Sequence, residues 1–213
     1  VEGSEGKTPT EMAQRFEQVG AQFGKGSERD MAWLALRSLK TPEALGPALD
    51  AFTLTLLKPD FVKSAIERDR QQMLMGLKRK EQSPAAIATE AIYAELYEGH
   101  PYGTPKGGTL ESLSAITRED IVRFYSQYYV GTNATVAIVG DLDLKQAKEL
   151  SERVFGEMPR GEAPSQIPAP KPIPEQKVVY IPYSSAQAHI RVGAIGIERA
   201  DPRRITLNVG NHI

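Results

Sequence analysis

The chain has 213 residues, 40% of them apolar, with 26 basic side chains against 27 acidic ones and no cysteine. That length and apolar content can fill a core, while the near-neutral balance gives no long-range attraction for a nucleic-acid backbone or an anionic membrane. Absent cysteines exclude disulfides and thiolate metal sites, and no apolar run reaches the roughly 18 residues of a membrane span. The first residues, VEGSEGKTPT, lack the charge and apolar stretch of a signal peptide, so the compartment stays open between the periplasm and the cytoplasm of a bacterium.

In chain order, Thr8-Pro9-Thr10-Glu11 opens the first predicted helix: Thr8 can cap, Pro9 suits the first helical position, and Glu11 sits at the capping-box position. Met12, Phe16 and Val19 share one face, and Gly20 stops the run. After GAQFGKGSER, the apolar run DMAWLALRSL reads as a buried strand closed by Lys40-Thr41-Pro42. Thr41-Pro42 opens a second helix. Pro59-Asp60 opens a third, highly charged one through about Gln82, and Ser83-Pro84 opens a fourth that ends at Gly99.

The stretch GHPYGTPKGG, residues 99–108, holds four glycines, two prolines, Lys106 and one of three histidines. His100 precedes a proline and has no second donor at metal spacing, so a structural loop histidine is favoured over a ligand. Lys106 lacks the Gly-Lys-Ser/Thr run and the preceding strand of a phosphate loop. Thr109 and Thr117 then look like successive helix caps. ATVAIVG reads as a strand, and Leu144 to Phe155 as an amphipathic helix.

Six prolines between Pro159 and Pro174 predict an extended linker. The resulting organisation is a first domain over 1–158, a linker over 159–176 and a strand-strand-helix start of a second domain over 177–213. Its strands are KVVYIPY and AQAHIRVGA, and its helix starts at Asp201-Pro202. His189, inside the second of these, faces either side of a sheet depending on register.

Four stretches, GAQFGKGSERD (20–30), IERDRQQMLMGLKRKEQSP (66–84), YEGHPYGTPKGGTLESLSAITREDIVRFYSQYYVGTNATVAIVGDLD (97–143) and AQAHIRVGAIGIERADPRRITLNVGNHI (186–213), resemble the pitrilysin/insulinase-type zinc peptidases, the group that includes mitochondrial processing peptidase. The resemblance implies an α+β fold, a mixed and largely antiparallel sheet backed by helices, repeated in two similar domains that form a clamshell around an unfolded peptide. In active members an inverted H-x-x-E-H motif supplies two zinc ligands and a general base, and a glutamate on a later helix supplies the third ligand.

No H-x-x-E-H occurs here, and the two strands and helix that would carry it are expected before Thr8. Aligned on Ile66 and Gln82-Ser83-Pro84, the third ligand position is Gly76, with Asp69 seven residues earlier on the same face. A glycine in a helix interior costs about 1 kcal/mol relative to alanine, so packing is expected to require a small residue at 76. In the repeat, Asn208, Asn211 and His212 form N-x-x-N-H where H-x-x-E-H would fall, and two amides do not replace an imidazole and a carboxylate.

The resemblance therefore implies an inactive-type subunit with no zinc of its own, paired with a catalytic H-x-x-E-H subunit that holds it. Gln22, Phe23, Gly24, Lys25 and Gly26 align with the edge strand that pairs with extended peptide by backbone hydrogen bonds; a plain glycine-rich hairpin loop is the other reading of the same residues. Arg68, Arg70, Lys78, Arg79 and Lys80 read as a solvated helix face, or as charges lining a peptide chamber. Two further functional readings remain, an active zinc endopeptidase with its motif upstream and a core subunit of a membrane assembly. The incomplete first domain also suggests self-association, with residues 177–213 docking into a neighbouring copy.

Overall fold

The computed structural model describes residues 2–211. The described residues form eight α-helices and one antiparallel hairpin. In order these are α1 (Pro9–Glu17), β1 (Gln22–Ser27), β2 (Ala32–Arg37), α2 (Pro42–Leu57), α3 (Lys63–Glu81), α4 (Pro84–Leu96), α5 (Leu110–Ala115), α6 (Arg118–Tyr128), α7 (Leu144–Phe155) and α8 (Arg204–Gly210). The chain is thus α+β, as expected. None of the described helices is long and apolar enough to cross a membrane.

Helix starts follow local chemistry. The Thr8 hydroxyl accepts from the Glu11 N–H at 3.2 Å while the Thr8 N–H donates to the Glu11 carboxylate at 2.7 Å. Thr117 and Asp120 repeat the arrangement on α6, at 3.1 and 2.8 Å, as do Asp143 and Gln146 on α7. Each box satisfies two backbone donors that a helix end would otherwise leave open.

In α6 the Thr117 hydroxyl and backbone N–H, and then the Arg123 guanidinium, hold the Asp120 carboxyl down at about 2 from an ordinary 3.8. A depressed carboxyl contributes stability that is complete above its unfolded value and lost as pH falls through the folded one. The window here runs from about pH 4 down to about pH 2. Asp120→Asn, whose amide oxygen still accepts from Thr117, should flatten the acid limb of a urea-midpoint-against-pH curve in that window. An unchanged limb would assign the acid sensitivity to other carboxylates.

Compact packing divides the chain into two units, one made of residues up to Leu74 together with Leu110–Gln166, the other of Met75–Thr109 together with the chain from Ile167 onward. The first unit contains the apolar core: Phe16, Ala48, Leu49, Ala51, Phe52, Leu56 and Val154 are buried, with Phe23, Leu34 and Leu36 of the hairpin packed against them. Helix α2 is central, meeting α1 on one flank and α7 on another. In the second unit His100 is the one buried residue among those described. There the chain beyond the proline-rich stretch lies along α4. Arg191 reaches the Thr89 hydroxyl at 3.2 Å, Lys177 pairs with Glu95, and Gly193 passes close to Ile92 and Leu96.

Three expectations from sequence are corrected. Helix α3 starts at Lys63, not at Pro59-Asp60, because those residues are held by distant partners. Pro59 bridges to Ser4, the Asp60 carboxylate accepts from the Gly6 N–H at 2.8 Å, and Arg118 donates to the carbonyls of Asp60 and Phe61. Second, ATVAIVG, KVVYIPY and AQAHIRVGA form no strands. A strand exists only through its ladder, and these segments pair with none among the described residues, leaving Val139 98% and Val192 93% exposed. Third, DMAWLALRSL is half exposed, not buried. Only residues 32–37 form β2, with Leu34 and Leu36 inward and Trp33, Ala35 and Arg37 outward.

Candidate functional site

The hairpin that carries residues 22–26 is fixed by its register: Gln22 pairs with Arg37, Phe23 with Leu36, Gly24 with Ala35, Lys25 with Leu34, and Gly26 with Trp33. Side chains alternate between faces along a strand, so Phe23 and Lys25 share one face with Leu34 and Leu36. That face joins the core, where Phe23 stacks on Phe16 at 5.1 Å and meets Phe52 edge-on at 6.2 Å. Gln22, Gly24 and Gly26 share the other face with Trp33, Ala35 and Arg37. The five residues therefore belong to a strand of the hairpin and not to its loop.

The glycines have a steric cause. A Cβ on Gly24 would lie 3.2 Å from Trp33 Cζ3, and one on Gly26 would overlap Cε2 and Nε1 of the same indole. The ring covers both positions, a close approach that a side chain at 26 would forbid. Trp33 was not singled out from sequence. The signal for it was two glycines at i and i+2 in one strand opposite the only tryptophan.

On the core side, the first unit holds a cavity of about 300 Å³ bounded by Phe23, Lys25, Leu34, Phe61, Asp69 and Tyr125. Phe61 takes a left-handed backbone conformation, φ 49°, which is costly for an aromatic residue. Arg118 on its carbonyl at 2.9 Å and the edge-on Tyr125 ring at 5.3 Å hold it there. Tyr125 donates its hydroxyl to the Leu56 carbonyl, and burial pushes the phenol upward in pKa.

Asp69 and Gly76 both lie on α3. The Asp69 carboxylate accepts from Arg68 at 3.0 and 3.2 Å. A Cβ at Gly76 would meet nothing within 4 Å, so the expected packing need for a small residue does not exist; the position has room for a side chain and supplies no donor. Asn208 lies in α8 and Asn211 at its C-terminal end, while His212 lies outside the described residues. Among the described residues no three His, Cys, Asp or Glu side chains converge as metal donors. The described residues therefore assemble no donor set of the kind a tetrahedral zinc site needs, three or four such side chains.

The charged face of α3 is not uniformly solvated. Arg70 donates to the carbonyls of Leu113 and Ile116 and to Glu67, and its side chain is only 15% exposed, so it ties α3 to α5. Arg68 also pairs with Glu2, Lys80 pairs with Glu90, and Arg79 reaches the Met75 carbonyl at 3.4 Å. His100 is a structural turn residue, with both ring nitrogens bonded to backbone groups. Lys106 stands in an exposed turn and His189 in an exposed, unpaired segment.

In the first unit α1 and α2 pack on a two-stranded antiparallel sheet, neither of whose outer edges is paired by a described strand, an α+β arrangement. Comparison with known proteins agrees. Residues 1–110 match the insulinase family, peptidase family M16, and residues 115–213 match the family described as peptidase M16 inactive domain. The chain belongs to peptidase family M16.

A solved peptidase M16 inactive domain from Pseudomonas fluorescens superposes with a TM-score of 0.78 at 35% identity, over 80% of this chain and 41% of that one. An uncharacterized zinc protease of Rickettsia bellii is 22% identical over 169 residues, 78% of this chain and 40% of the relative. A probable mitochondrial-processing peptidase subunit beta of Schizosaccharomyces pombe is 22% identical over 171 residues, 79% and 36%. The chain thus spans about two fifths of the length of these relatives.

Proposed function

We propose that this chain is a non-catalytic part of an M16-type peptidase, which holds extended peptide along β1 and closes the chamber beside a partner that supplies zinc and the general base. The observation that carries this reading is Gly76. It occupies the position where the resemblance places the third zinc ligand, the surrounding space is open, and no other described carboxylate or imidazole takes its place. Removing one of three protein ligands from a catalytic zinc site leaves too few donors to hold the ion tightly at neutral pH.

Support for peptide holding comes from β1. Among the described residues its ladder uses one edge only, so N–H and C=O groups on the other edge can pair with an added strand without any metal. A partner subunit is in keeping with the relative named as the beta subunit of a processing peptidase. The test is metal analysis of the purified chain after dialysis together with a peptide-cleavage assay. The expected result is no stoichiometric zinc and no cleavage by the chain alone, with chelator-sensitive cleavage when an H-x-x-E-H partner is added. One zinc per chain, or chelator-sensitive cleavage without a partner, would overturn the proposal.

A further inference from the structure

We infer that Trp33 is the side-chain platform of the β1 peptide site, and that it selects extended peptides carrying a large aromatic residue. This rests on the peptide-holding reading of β1 given above.

An added strand would lie about 4.8 Å from β1, its side chains alternating between the two faces. On the outward face β1 itself offers almost nothing: Gly24 and Gly26 have no side chains, and Gln22 stands at the end. The indole of Trp33, rooted on β2, fills that bare stretch. Its six-membered ring reaches Gly24 and its pyrrole edge lies on Gly26, so the indole covers the outward face of β1 at both glycines. The side chain is still 42% exposed.

A strand added beside β1 therefore places its outward side chains beside an aromatic surface rather than beside open solvent. Two glycines within one strand weaken it, and here the space of their missing side chains is taken by the ring. An aromatic side chain on the added strand gains stacking or edge-to-face contact on the exposed indole, beyond what its area alone contributes.

The test compares two ten-residue peptides of alternating Thr and Ala, one with Phe at a central position and one with Ala there, each dye-labelled and titrated by fluorescence anisotropy. The Phe peptide should bind about threefold to tenfold tighter, the range an aromatic pair contributes. It should also perturb the emission of Trp33, the only tryptophan in the chain. In Trp33→Leu, whose fold is checked by circular dichroism, the ratio of the two affinities should fall to about one. Gly26→Ala, which displaces the ring without removing it, should lower the same ratio.

Equal affinities on the unmodified chain, or a preference that survives Trp33→Leu, would overturn the platform while leaving peptide holding intact. No binding of either peptide would remove the peptide-holding reading and the platform with it. A dimer by sedimentation that dissociates in Trp33→Leu would reassign the face to a second copy of the chain.

Discussion

Replacing Phe52 with alanine is expected to destabilise the chain by about 3–5 kcal/mol, the cost of deleting a buried aromatic ring and leaving its cavity. Phe52 is 7% exposed in the middle of α2, the helix that meets both α1 and α7. Its ring receives Phe23 edge-on, and Phe23 in turn stacks on Phe16, so one substitution removes the end of a three-ring chain that ties α2, β1 and α1 together. Single domains are stable by only about 5–15 kcal/mol, so this loss consumes a large share. In urea unfolding followed by circular dichroism, the midpoint should fall sharply for Phe52→Ala and less for Phe52→Leu, which keeps most of the volume. A midpoint for Phe52→Ala within experimental scatter of the parent would mean that the three-ring chain is not the centre of the core.

The same contrast between local and distant causes explains which parts of the structure were legible in the sequence. Thr8 with Glu11, Thr117 with Asp120, and the bounds of α7 are decided by residues three or four apart, and all stand where the pattern placed them. Pro59-Asp60 has an equally good local signature for a helix start. Ser4, Gly6 and Arg118, more than fifty residues away in sequence, claim those groups instead. Residues 134–139 and 178–183 have the β-branched composition of strands, but composition cannot supply a ladder partner. At the candidate site, the glycines at 24 and 26 were visible while their cause was not, because it sits across the ladder on Trp33. The glycine at 76 suggests a packing requirement in the sequence, and only the empty space around it shows that packing asks for nothing there.

His100 is where one side chain holds the second unit's turn and its proline-rich segment together, and its removal is expected to be the largest single loss in that unit. The ring is 8% exposed. The Tyr102 N–H donates to Nδ1 at 3.1 Å, so Nδ1 is unprotonated and the proton sits on Nε2, which donates to the Pro168 carbonyl at 2.8 Å. Tyr102 meets the ring edge-on at 4.8 Å and Tyr97 lies at 5.7 Å. Because both nitrogens are used and in opposite senses, no other side chain reproduces the pair of contacts. Alanine at 100 leaves the Tyr102 N–H and the Pro168 carbonyl without partners, at about 1–3 kcal/mol for each group that stays buried, and opens space between two tyrosines. Asparagine should restore the first contact, since it caps turns in the same way, but it is too short for the second. The expected order of stability is therefore parent, then His100→Asn, then His100→Ala. Hydrogen exchange should report the first contact: the Tyr102 amide speeds up in His100→Ala and not in His100→Asn. Equal stability of His100→Asn and the parent would show that the proline-rich segment is anchored by other contacts, among them the ion pair of Lys177 with Glu95 and the Tyr183 hydroxyl on the Gln82 carbonyl.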